Sequence, residues 1–299
     1  MEAINLQLQI FTLTAIGFCL GKKAGISKAT ISQLTNIMFS VILPCNIISS
    51  FQIEMTTSIL IQTSLALIFA CFSQLFYIFI NKFIYKGFDQ SKQTCMKYAT
   101  ICSNAGFIGL PIAGVMFGQT GLLFMSIALI PQRIAMWSSG ISMFTQTSKK
   151  EVIKKLIKHP CIIAVEIGFV IMIFNIHLPV FLNNTVTGLS GATTSFSMMI
   201  IGMLLSDVDL KLIFDKDAVY YSFIRLIVIP VLFYAVLILF HIDPLVTAII
   251  VIMGAMPAGT STAMLAQKYD GNAQFGSKLV VLSTFFSLFT IPILSLVLK

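Results

Sequence analysis

Long apolar runs of about twenty residues, separated by short polar or lysine-bearing stretches, dominate the chain. A helix needs roughly 20 apolar residues to cross the hydrocarbon core of a bilayer. Ten runs qualify: 5–21, 30–53, 57–80, 98–118, 120–145, 160–176, 180–206, 218–240, 244–267 and 277–298. Only Gly118-Gln119-Thr120 separates the fourth from the fifth. The runs are continuously apolar and lack the short alternating pattern of barrel strands. The expected fold class is an all-α polytopic membrane protein with ten transmembrane helices.

Composition points the same way. Of 299 residues, 57% are hydrophobic and 10% charged, against about 25% charged in a soluble domain. Mean hydropathy is +0.96. The net charge of +8 raises the question of nucleic acid, and the positions of the basic residues answer it. With the N-terminus outside, the inner loops hold Lys22, Lys23 and Lys28, then Lys82, Lys86, Lys92 and Lys97. Next come Lys149, Lys150, Lys154, Lys155 and Lys158, then Lys211, Lys216, Lys268 and Lys278. The outer side holds only Lys299. This positive-inside bias predicts a cytoplasmic (inner) membrane protein with both termini outside, and it explains the charge without a nucleic-acid partner. The opening MEAINLQLQ has no basic segment and reads as the first membrane helix rather than a cleaved signal. Cys19, Cys45, Cys71, Cys95, Cys102 and Cys161 form no CxxC pair; they are expected as free, buried thiols without a disulfide framework or metal site.

The longest inner loop, around SKKEVIKKLIKHP (148–160), has five spans on each side. Five is odd, so the second half enters the membrane from the opposite side, the plan of inverted-repeat secondary transporters. The expected organisation is a first repeat over 1–147, a cytoplasmic linker over 148–159 and a second repeat over 160–299. Direct identity between the halves is slight, but Pro111 lies midway along span 4 and Pro257 midway along span 9.

Those prolines belong to SNAGFIGLP (103–111) and GAMPAGTST (254–262). Proline removes a backbone N–H, and glycine weakens a helix. In lipid, irregular backbone is tolerated only when shielded by protein or lining a wet cavity. Two Gly/Pro-interrupted spans at matching places in two halves mark a midplane binding site. The half-helix N-termini there would favour an anion. The alternative is that these residues are ordinary kinks or close-packing points.

At this point the sequence resembles the auxin efflux carrier family. SNAGFIGLPIAGVMFG is similar to its fourth helix, SVILPCNIISSF (40–51) to its second and KKLIKHPCIIAVEIGF (154–169) to the opening of its second half. SGATTSFSMMIIGMLLS (190–206), MPAGTSTAMLAQKYDGN (256–272) and LSTFFSLFTIPI (282–293) are similar to later helices. The resemblance covers essentially the whole chain. The long hydrophilic loop of plant members is missing, so the chain looks like the compact prokaryotic type, whose proposed substrates are organic acids such as malonate or malate. The resemblance implies broken helices 4 and 9 crossing at the midplane, as in bile acid transporters and sodium–proton antiporters, with alternating access by an elevator movement of a transport domain against a scaffold domain, each drawn from both repeats. It implies substrate contacts from Asn104, Ala105, Gly106 and Pro111, and from Pro257, Ala258, Gly259 and Thr260. Gly191 stands where plant members carry a substrate-binding Asn; Thr193, Thr194, Ser195 and Ser197 are the candidate replacements, with Thr194 and Ser197 foremost.

Three charges lie inside spans, each costing at least about 2.5 kcal/mol at the centre of a helix. Arg133, in IPQRIAMW, is a candidate carboxylate anchor through a bidentate pair, or else an ion-pair partner of Glu166. Glu166 is a candidate for ion or proton coupling, or for pairing with either arginine. Arg225 is expected to snorkel to the inner interface. His177 and His241 fall near outer ends. Asn46, after Pro44, is a candidate for the cavity lining or a helix-packing residue, while Trp137 and most phenylalanines are read as lipid-facing or core.

The function that follows is a secondary transporter for a small organic anion. A channel, or a carrier for a non-anionic solute, is the alternative. No HExxH, paired aspartates, Ser/His pair or Walker motif points to an enzyme or to ATP coupling. No cofactor is expected. Coupling to H+ or Na+ and facilitated movement all stay open, as does a homodimer through a helix 1–2 or helix 6–7 surface; membrane lipids are the expected surroundings.

Overall fold

A computed structural model describes residues 2–23, 26–54, 56–144, 157–206 and 215–298. Most of the expected 148–159 linker, with Lys149 to Lys155, lies outside them, as do Lys211 and Lys299. The described residues are helical and form no strand. The helices are α1 (Glu2–Lys23), α2 (Lys28–Ile37), α3 (Leu43–Ser50), α4 (Thr57–Ile84), α5 (Gln90–Ile101), α6 (Gly109–Ala135) and α7 (Pro160–Ile173). They continue with α8 (Val180–Gly191), α9 (Thr193–Ser206), α10 (Lys216–Phe223), α11 (Ile229–Leu239), α12 (Pro244–Gly254), α13 (Ser261–Lys268) and α14 (Ala273–Val297).

Among the described residues, six stretches are long and apolar enough to cross a membrane: Ala29–Ser50, Thr57–Ile84, Gly109–Gly140, Val180–Ser206, Lys216–Leu239 and Ala273–Val297. That is fewer than the ten runs in the sequence: the first run, in α1, is not among them, the sixth forms only the 14-residue α7, and the rest differ for local reasons. The fourth and ninth runs are each split by an irregular segment into shorter helices. The fourth and fifth merge into one helical run that turns at Gly118. Gly118 has φ 63° and ψ −153°, a region essentially reserved for glycine. π turns at Met38–Ile42 and Ile224–Val228 lie just ahead of Pro44 and Pro230 and absorb the backbone bonds that each proline removes.

The distribution of side chains is that of a membrane protein. On α4 the buried face is small or polar, with Thr63, Ala66, Ala70, Ser73, Gln74, Tyr77 and Asn81 at helical spacing. Its exposed face carries Phe72, Leu75, Phe79 and Phe83. Lipid is as apolar as leucine, so helix association there relies on close packing and hydrogen bonds between small and polar residues. Cys95, Cys102 and Cys161 are buried, but Cys19 and Cys71 are exposed on outward helix faces, contrary to the expectation that all would be buried. All six thiols are free.

The helices pack in two groups. In one, α1 lies along α9, and α3 packs on α7 and α8. Asn46 joins this group internally by donating from Nδ2 to the Ser190 hydroxyl at 3.0 Å. In the other, α4 packs on α5 and α6, α12 on α6 and α11, and α14 on α10 and α13. Gln62 donates to Asp243 at 2.8 Å, and the other Asp243 oxygen caps α12 at Leu245 and Val246. At the lysine-rich end, Lys92 meets Asp217 at 2.5 Å and Asp215 at 3.5 Å, and Lys278 meets Asp215 at 3.8 Å. These pairs tie the starts of α5, α10 and α14.

α7 begins at an unusual cap. The Cys161 N–H donates to His159 Nδ1 at 3.3 Å, which places the imidazole proton on Nε2. Burial, and then the nearby Arg133 charge, push the His159 pKa from 6.5 down to about 4. The unfolded chain protonates His159 near pH 6.5, whereas the folded chain does so only near 4. Stability is therefore full above the upper value and falls as the pH drops between them. Thermal unfolding in detergent should show this loss, and His159→Asn, which caps without titrating, should flatten it. Gly118→Ala should lower Tm by several degrees, because a side chain there costs about 1–3 kcal/mol.

Candidate functional site

The two interruptions meet. In the first, α5 ends at Cys102, Asn104–Gly106 make a single 3-10 turn, and α6 starts at Gly109. In the second, α12 ends at Ala255 and α13 starts at Ser261. Ser103 lies antiparallel to Ala258. The Asn104 N–H donates to the Pro257 carbonyl at 2.8 Å, and the Gly259 N–H donates to the Cys102 carbonyl at 3.0 Å. Proline at 257 gives up nothing here, because the contact uses only its carbonyl. Glycine at 259 is required, since a Cβ would lie 2.6 Å from the Cys102 oxygen. Pro111 lies outside this contact, in the first turn of α6, where a missing N–H has no helical partner to lose.

Side chains of the broken helices and of α14 complete the contact. Gln132 of α6 donates to the Ser103 carbonyl at 2.8 Å, and the Ser103 hydroxyl donates back to Gln132 Oε1 at 3.0 Å. The Ala258 N–H donates to the Ser283 hydroxyl of α14 at 3.0 Å. The Tyr98 hydroxyl donates to the Ser261 hydroxyl at 3.0 Å, from one broken helix to the other.

Arg225 corrects the sequence reading. It does not snorkel; it is 0% exposed. It donates from Nε to the Met256 carbonyl at 3.0 Å, from Nη1 to Thr100 at 3.1 Å and from Nη2 to Met253 at 3.3 Å. Its guanidinium carbon lies 4.7 Å from the centre of the Tyr77 ring. The inward turn comes from the π turn that contains it, which residue type and depth in the span do not reveal.

Two adjoining hollows lie beside this contact and share Ile201 and Thr284. Asn104, Ile108, Thr260, Thr284 and Ser287 line them on one side, from the broken helices and α14. Met198, Ile201, Leu204 and Leu205 of α9 line the other. Ile108 and Thr260 immediately precede α6 and α13, and neither helix start is capped by a side chain.

Of the other expected residues, Ala105 and Ala258 are fully buried. Gly106 faces Arg133, whose Nη2 would lie 4.0 Å from a Cβ there. Arg133 is 7% exposed, and its Nη1 has no hydrogen-bond partner. It reaches the first interruption without lining the cleft. The ion pair with Glu166, the alternative reading, does not form; Glu166 points outward from α7 and pairs with neither arginine among the described residues. Ser197 donates to the Thr194 carbonyl at 3.1 Å within its own helix. Asn46 is committed to Ser190, with its Oδ1 unpartnered. Tyr98, Ser103, Gln132, Ser261 and Ser283 were not singled out from sequence. Ser103 and Ser261 sat within the quoted stretches and Gln132 beside Arg133, but which hydroxyl or amide reaches which backbone group is a matter of packing.

Residues 3–154 and 145–295 match the family described as Membrane transport protein. An uncharacterized transporter of Methanocaldococcus jannaschii is 24% identical over 305 residues, covering 98% of this chain and 98% of that protein. An uncharacterized transporter of Methanothermobacter thermautotrophicus is 24% identical over 306 residues, covering 100% of this chain and 99% of that protein. With its apolar helices and lipid-type packing, the chain is an integral membrane protein that belongs to the membrane transport protein family, the family of the auxin efflux carriers.

Proposed function

We propose that this protein is a secondary transporter that moves a small organic anion across the cytoplasmic membrane by alternating access. The observation that carries this reading is the pair of hydrogen-bonded helix interruptions beside a polar-edged cleft. Two helix starts without side-chain caps border that cleft, and a helix start carries partial positive charge. Asn104, Thr260 and Thr284 supply hydrogen-bonding groups without a fixed negative charge. Arg133 adds a buried cation behind Gly106, with a free N–H for a carboxylate that reaches past the glycine. A mono- or dicarboxylate matches that chemistry.

The same reading takes the broken segments as membrane passages. With them the chain crosses ten times, in two inverted repeats of five helices that cross near the midplane. The lysine distribution supports termini on the outside. The cleft lies between the two helix groups. On the α9 side its lining is apolar, a surface that can slide without breaking hydrogen bonds. We take α4–α6 and α10–α14 as the moving body, and α1–α3 with α7–α9 as the scaffold.

A thermal-shift screen of the purified protein against small mono- and dicarboxylates tests the substrate class. A ligand at about 100 times its Kd adds about 2.7 kcal/mol of stability. One acid should raise Tm, and Asn104→Ala or Arg133→Ala should abolish that rise while the protein stays folded. Stabilisation by neutral or cationic solutes alone would remove the anion from this reading. In proteoliposomes the same acid should show saturable counterflow, which a channel would not.

A further inference from the structure

Arg225 is a buried cation that the transport scheme above does not use. Among the described residues it has no acidic partner; its hydrogen bonds go to three backbone carbonyls. Thr100 lies in the last turn of α5, Met253 in the last turn of α12, and Met256 just beyond it. The carbonyls at a helix C-terminus lack intrahelical partners, and the aligned peptide dipoles make that end partly negative. Two such ends converge on one guanidinium.

Converging carbonyls at half-helix C-termini are also the donor set with which transporters coordinate a coupling cation. A small hard cation binds through oxygen, and carbonyls can stand in for its hydration shell. We infer that Arg225 is a tethered cation in the place a coupling ion would otherwise occupy, so that this crossing works without sodium. A bound ion can leave and carry its gradient's free energy through the cycle; a guanidinium anchored to the chain cannot. Its planar fork also suits three acceptors at separate positions, where the point charge of a lysine would serve fewer. The inference rests on the crossing being the transport site, but it concerns the resident charge and not the substrate.

The test needs no organic acid, so its outcome is separable from that of the anion reading. Thermal unfolding of the purified protein is compared in sodium chloride and in choline chloride at equal ionic strength. Choline is too large and too poorly coordinated to replace a bare ion. The unaltered protein and Arg225→Lys should unfold at the same Tm in both salts. Arg225→Gln and Arg225→Ala should unfold lower in choline and recover about 3 °C or more in sodium, because the vacated carbonyls accept the ion. Rescue specific to sodium is not expected of a residue that only fills space. A sodium-specific rise in the unaltered protein overturns the inference, as does a folded Arg225→Gln or Arg225→Ala with no such rise. Should neither neutral variant fold, the unaltered protein and Arg225→Lys decide it: indifference of both to sodium upholds the inference, and a response in either overturns it.

Discussion

The constraint on which the structure depends is the need to satisfy backbone groups wherever a helix stops inside an apolar environment. An unsatisfied carbonyl or N–H there costs several kcal/mol. Two helices stop beside each other here, and their needs are met jointly. Each interruption gives one N–H and one carbonyl to the other. Gln132 and Ser283 take the next groups in line, and Arg225 takes carbonyls at both helix ends. The negative ends are thereby occupied by a protein charge. The helix starts have no side-chain cap and lie at the cleft. The contact between the interruptions thus has an electrostatic direction, with its occupied negative side toward α10–α11 and its open positive side toward α9.

That direction has a counterpart in the packing. The polar contacts named above lie within one helix group or the other. Asn46 and Ser190 serve the first, and the lysine–aspartate pairs, Arg225 and the crossing serve the second. Aromatic contacts bridge the groups: Phe39 and Phe107 at 5.7 Å, and Phe11 and Phe289 at 6.0 Å between ring centres. Polar bonds have narrow geometric optima, whereas apolar contacts tolerate displacement. Hydrogen-bonded bodies that meet through apolar surfaces suit a movement in which each body stays rigid.

The apolar runs, the turn at Gly118 and both interruptions were legible in the sequence, because each rests on local chemistry. Glycine and proline declare where a helix cannot continue, and run length declares where one can cross a bilayer. That the two interruptions belong to one site was legible only through the matching placement of two broken spans. What the sequence could not reveal depends on helix rotation and on partners far along the chain. Arg225 looked like a residue close enough to the interface to snorkel, and a π turn aims it inward instead. A pair with Glu166 was one of two readings of Arg133, but Arg133 faces the first interruption and Glu166 faces outward. Pro111 and Pro257 looked equivalent, yet only Pro257 takes part in the backbone contact.

The most direct measurement is a pair of spin-label distances on a cysteine-free background. One pair spans the two helix groups, at Leu182 of α8 and Leu239 of α11. The control lies within one group, at Phe79 of α4 and Val231 of α11. All four positions are exposed and accept a label without repacking. Addition of the carboxylate that stabilises the protein most should shift the Leu182–Leu239 distribution and leave the Phe79–Val231 distribution unchanged. A Leu182–Leu239 distance that stays fixed at saturation, or a Phe79–Val231 distance that moves with it, would contradict two rigid bodies working about a fixed crossing.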